Sequence, residues 1–179
     1  NDTLLTDKYL GGQRALSLLD EDQYPGRYWY DALEDGDLAR AYRDRSNTAV
    51  ARQPLELLGH ILREGRPLTE LLTADYTVVN GYSAVSFNVP GADVPELDDP
   101  SADAFYEVQL DGIPHAGILT MPAYLARYPS TPTNRNRHRA RVFYDQFLAT
   151  DILAFSSRPL DPEAVSDYQN PTREDPQCT

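Results

Sequence analysis

Four arginines, Arg135, Arg137, Arg139 and Arg141, alternate with Asn136, His138 and Ala140 in the stretch RNRHRAR. A helix is expected from about Asn136 to Leu153, with Thr133 or Asn134 able to cap its start. The guanidinium groups therefore crowd the end of that helix where the macrodipole disfavours cations. A local advantage must offset this, and two are open. The arginines could pair with the acidic stretch upstream. Alternatively they could form an anion clamp, because helix N-terminal amides and arginine forks suit phosphate or carboxylate groups, haem propionates among them. Nucleic acid is a poor third choice for a chain whose formal net charge is −12.

Other residue types narrow the chemistry further. The histidines are His60, His115 and His138. They show no HExxH pattern and no close His–His or Cys–His spacing, so a zinc site has no support. His60 follows Gly59 on an amphipathic stretch and reads as a partly buried helix residue. His115, in GIPHAG, stands among proline and small residues where a loop can present it, and it is the best placed of the three to act as a free acid–base or ligand group. The alternative for His115 is a turn residue hydrogen-bonded locally. The acidic loop DVPELDDPSAD (93–103) carries hard oxygen ligands but not the twelve-residue calcium pattern with its central glycine, and it reads as a solvated loop. Met121, the one methionine, suits packing better than ligation. Nucleophile elbows, P-loops and dinucleotide fingerprints do not occur.

These groups need elements to hold them. Leu38 and Tyr42 share one face of a short helix expected over Asp37–Arg45. A second helix opens at Gln53-Pro54, with the proline in its first turn, a stripe of Leu55, Leu58, Ile61 and Leu62, and Gly65 as its C-terminal cap. Pro67 starts a further short helix to Leu72. Residues Val78–Val85 fit helix better than strand, and Phe105–Leu110 alternates like a short strand. Pro122–Tyr128 is helical, and Val142, Phe143, Phe147, Leu148 and Ile152 form the expected buried stripe of the last helix. Leu4 to Leu19 reads as two short helices or one kinked at Gly11-Gly12. The fold class expected is mainly α, an irregular helical domain with long loops and at most a short strand pair. Residues 1–160 form that domain, and 161–179 form a polar, proline-rich tail.

Composition agrees with a globular chain. Of 179 residues, 41% are hydrophobic and 10% aromatic, enough to build a core. No apolar run is long enough to span a bilayer. Asn1 stands where an initiator Met would be, so a processed N-terminus or an arbitrary cut is expected. All but one of the 16 basic residues are arginine. From Pro67 to Ala126 there are nine acids and no base, and from Arg127 to Arg141 five bases and no acid. A structural or interaction subunit without a cofactor, held to its neighbours by such segregated charge, is one reading of the whole.

Three stretches point elsewhere: RPLTELLTADYTVVN (66–80), PHAGILTMPAYLARYPSTPTNRNRHRARVFYDQFLATDIL (114–153) and NPTREDPQCT (170–179). Together they resemble a family of large secreted bacterial proteins, named for planctomycetes and found also in myxobacteria and marine proteobacteria, whose domains of unknown function accompany c-type cytochrome segments. In that family an LTADYT-x-VN segment precedes a variable acidic loop, and an HAG-[IV]-LT segment precedes a T-x-x-NR-x-R helix. Its members continue a DPQCT-like stretch into the CxxCH haem-attachment motif. Cys178, the only cysteine, and Thr179 match the first two positions of that motif; the second cysteine and the histidine are missing.

The resemblance implies a fragment or processed part of a periplasmic or cell-surface protein that supports electron transfer or a redox module. Haem c would be its cofactor, if the chain continues. Other domains or subunits of a larger redox or surface assembly would be its partners. Cys178 would anchor the haem, His115 would approach the iron, and Arg135, Arg137 and Arg139 would hold propionates or a neighbouring domain. Without the rest of the motif, Cys178 reads as an inert thiol or one paired with another chain.

Overall fold

The computed structural model describes Leu16, residues 19–128 and residues 137–155. The chain is mainly helical, with one two-stranded antiparallel sheet among the described residues. It divides into two compact units, Asn1–Pro129 and Ser130–Thr179. The helices expected before Leu16, the boundary near residue 160 and the tail from 161 to 179 lie outside the described residues.

The first unit is organised around one helix, α1, Gly36–Arg63. Asp35 caps it, its carboxylate accepting from the amides of Asp37 and Leu38. The two separate helices expected over 37–45 and from 53 onwards are a single element. Pro54 lies inside it and not in a first turn, so the Val50 carbonyl has no N–H to receive at that point. Tertiary packing overrides the local penalty, because Ser46, Val50, Gln53, Leu57 and Ile61 recur at three- and four-residue steps and are all buried. Gly65, at φ +65°, closes the helix, with Arg66 N donating to Ile61 O and Gly65 N to Leu62 O.

Of the expected stripe of Leu55, Leu58, Ile61 and Leu62, only Ile61 is buried and Leu58 half-buried. Leu57 and Ile61 are 0% exposed, whereas Leu55 is 57% and Leu62 61% exposed. Two apolar faces run side by side through PLELLGHIL, and packing selects the one continuous with Val50 and Gln53.

After α1 come α2 (Glu70–Thr73), β1 (Thr77–Val79) and α3 (Gly81–Ser86). The single helix expected over Val78–Val85 is thus a strand and a helix. Asn80 makes the break: its side chain accepts from Ser83 N while Ser83 Oγ accepts from Asn80 N, a reciprocal cap that starts α3. Strand β1 is buried throughout, and Gln53 of α1 donates through Nε2 to Val78 O. Strand β2, Tyr106–Val108, pairs with β1 antiparallel, Thr77 opposite Val108 and Val79 opposite Tyr106. Between α3 and β2 runs the acidic loop, with a 3-10 turn at Pro100–Asp103. Helix α4, Pro122–Arg127, follows, with Met121 buried at its start as the packing reading expects.

Two apolar clusters flank α1. The larger gathers Leu16, Leu19, Tyr24, Tyr30, Tyr42, Val50, Tyr82 and Phe87, with Trp29 edge-on to Tyr42 at 4.9 Å between ring centroids. The smaller holds Leu57, Ile61, Tyr76, Val78 and Met121.

In the second unit, helix α5 spans Arg137–Leu148. Ala149, at φ +47°, stops it short of the expected Leu153, and a 3-10 turn, Ile152–Phe155, follows. Its expected buried stripe is only half-buried at Val142, Phe143, Phe147 and Ile152, and Leu148 is exposed.

Candidate functional site

The loop between β2 and α4 carries His115, and its shape follows from one glycine. Gly117 has φ +49°, a conformation other residues rarely adopt. It also lies against α2: a Cβ built there would stand 2.1 Å from the Leu71 carbonyl oxygen. That approach lets Gly117 N donate to Ala74 O and Ile118 N to Leu71 O, both at 2.9 Å. The HAG segment is therefore fastened to α2 through its backbone, which no larger residue at 117 permits.

Thr120 completes the loop. Its Oγ1 accepts from Ala116 N at 3.1 Å and donates to Gly117 O at 3.2 Å, and it lies 3.3 Å from His115 Nδ1. Thr120 has one hydroxyl proton to give, to Gly117 O or to His115 Nδ1; with that proton on the carbonyl, Nδ1–H of His115 donates to Oγ1 and Nε2 carries the lone pair. Nε2 is buried and has no hydrogen-bond partner. Burial holds the imidazole pKa below its usual value and keeps the ring neutral. A neutral imidazole whose Nδ1–H is held by a neighbouring oxygen, with a bare Nε2, is the form in which histidine ligates a metal. The structure shows the locally bonded turn histidine, with Thr120 as its partner.

The other expected site residues are distributed differently. Arg137 and Arg139 lie in the first turn of α5, Arg137 exposed and Arg139 half-buried. Arg141, one turn on, comes within 3.9 Å of Asp151. Arg135 and Cys178 lie outside the described residues. Among the described residues no three His, Cys, Asp or Glu side chains converge to hold a metal ion. In the acidic loop, Asp99 is occupied by Ser101, accepting from its amide and hydroxyl at 2.8 Å, which holds its carboxyl below the usual range. Asp103 pairs with Arg45.

One constellation was not legible in the sequence. His60 Nε2 lies 2.8 Å from Glu107 Oε2, and Arg66 Nη2 reaches the same oxygen at 2.8 Å. Arg66 also approaches Glu70, which accepts from the Tyr76 hydroxyl at 2.6 Å. Burial, then the Glu70 carboxylate, raises the Tyr76 pKa. Four segments meet here: the end of α1, the turn after it, α2 with its following turn, and β2. Every carboxylate in the group has a cationic or hydroxyl partner, so the cluster ties β2 and α2 to the end of α1. His60 and Glu107 are 47 residues apart, and only the β1–β2 register brings them together.

Comparison with protein families, curated proteins and solved structures finds no match to this chain.

Proposed function

We propose that the chain is part of a secreted, c-type-cytochrome-associated protein and supports electron transfer in a larger redox assembly at the periplasm or cell surface. The observation that carries this reading is the buried Nε2 of His115, which has no hydrogen-bond partner. It falls within the HAG-I-LT segment on which the resemblance rests. By residue type alone, a thiol such as that of Cys178 suits a thioether bond, an imidazole such as that of His115 suits iron, and guanidinium groups such as those of Arg135, Arg137 and Arg139 suit propionates. When bound, the haem supplies a one-electron couple. Because Nε2 is covered, ligation requires the loop around His115 to open, and Gly117 and Thr120 set how tightly that loop is held.

The test is the absorption spectrum and intact mass of the natural protein. A Soret band, together with a mass exceeding that of the polypeptide by one haem, is expected. His115→Ala should then perturb the ligand-sensitive visible bands. A mass equal to the polypeptide alone, with no Soret band, would overturn the reading.

A further inference from the structure

A cleft of about 140 Å³ opens between the end of α3, the turn after β2 and the turn that carries Gln23. Three sharp turns build it. Asn88, at φ +55°, ends α3, with Asn88 N donating to Val85 O and Val89 N to Ala84 O. Gly112, at φ +74°, reverses the chain after β2, so that Ile113 N donates to Leu110 O. Gly26 packs so closely on α3 that a Cβ there would stand 2.6 Å from the Val85 carbonyl oxygen. Gln23 is thereby held beside the helix end, and Tyr24 meets Phe87 edge-on at 5.6 Å between ring centroids.

The walls divide by chemistry. Phe87 and Leu110, both buried, and Ile113, half-buried, supply apolar surface. Gln23, Asn88 and Asp111 supply the polar groups, and their side chains make no hydrogen bond or ion pair with the other described residues. Asp111 is the one charged residue of the lining. All of the lining except Gln23 comes from the stretch Pro67–Ala126, which has no base, and Gln23 itself follows Asp20, Glu21 and Asp22. Arg27, the nearest base along the chain to Gln23, is turned to the Leu19 carbonyl and to Glu21. The field in the cleft is therefore negative and favours a cation. The carboxylate accepts charged N–H donors strongly, each amide can turn its oxygen inward, and aromatic faces attract cations. Size restricts the choice. At about 30 Å³ for each water-sized group, the volume takes about five non-hydrogen atoms.

We propose that this cleft binds a small organic ammonium ion of about four carbons. Its nitrogen donates to Asp111, Gln23 and Asn88, and its alkyl chain lies on Phe87, Leu110 and Ile113. The site does not depend on haem.

Titration of the intact chain with n-butylammonium chloride, followed by the backbone amide resonances, tests this, with sodium chloride at equal ionic strength as the blank. Saturable shifts centred on Asn88, Asp111 and Ile113 are expected, and butyrate, of the same size and opposite charge, should produce none. Asp111→Asn should raise the dissociation constant at least about tenfold. Asn88→Gly keeps the left-handed backbone and removes the amide, so it should weaken binding several-fold in a chain that still folds. Asp98→Asn, an exposed acid outside the cleft, should leave binding unchanged. Shifts that fail to saturate or scatter over the acidic surface overturn the proposal, as do equal binding of butyrate or of neutral 1-butanol, and an Asp111→Asn variant no weaker than Asp98→Asn.

Discussion

Replacing Gly117 with alanine tests the account of the His115 loop most directly. Two costs are separable. Holding a non-glycine residue at φ +49° costs about 1–2 kcal/mol. The added Cβ also meets the Leu71 carbonyl oxygen at 2.1 Å and its carbon at 2.6 Å, both of them backbone atoms that cannot swing aside. The loop must lift from α2, and the bonds from Gly117 N to Ala74 O and from Ile118 N to Leu71 O go with it, at about 1 kcal/mol each. The sum is about 3–4 kcal/mol.

Gly112 provides the control. It has φ +74° with nothing within 4 Å of a built Cβ, so Gly112→Ala bears the conformational cost alone, about 1–2 kcal/mol. Urea unfolding followed by the fluorescence of Trp29, the only tryptophan and part of the same unit, measures both. With a slope of about 1–3 kcal/mol per molar urea, the Gly117 variant should lose roughly 1–4 M in midpoint. Equal losses at the two glycines would refute the reasoning, because they would mean that the loop does not press on α2.

The half-buried His115, its imidazole pKa held down by burial, makes stability fall as the solution becomes acid. Its folded pKa lies below the unfolded value near 6.5, so between the two the unfolded chain binds more protons. The full contribution is present above pH 6.5 and declines as pH drops through that value towards the depressed folded pKa, with a slope of at most about 1.4 kcal/mol per pH unit. His115→Gln should remove that part of the acid slope, seen by comparing urea midpoints from pH 7 to 5. The reciprocal cap at the β1–α3 break predicts that Asn80→Ala destabilises by about 1–2 kcal/mol, since Asn80 is buried and Ser83 N loses its acceptor. Thermal or urea unfolding measures it, and a loss below a few tenths would mean that α3 starts without the cap.

Much of the fold was legible because its signals are local. Gly65 closing a helix, Pro122 opening one and the alternation before Leu110 each act over a few residues, and each stands where the pattern places it. The histidine of GIPHAG also stood out by type, whereas the role of Gly117 did not. Three things needed the tertiary structure. Pro54 reads as a helix start, yet burial of Val50, Gln53 and Leu57 on one face carries α1 straight through it. The two leucine faces of α1 are equally apolar, so periodicity could not choose which one β1 would cover. The His60–Glu107–Arg66–Glu70–Tyr76 cluster joins residues distant along the chain, and hydrogen bonds between strands, not spacing, set that distance. Sequence alone determined the helical class, the charge segregation and the residue types that could bind an anion or an iron. The packed chain decided which histidine nitrogen is bare and which face of the central helix remains uncovered, because both depend on contacts that exist only once β1, α2 and the Gly117 loop have closed on one another.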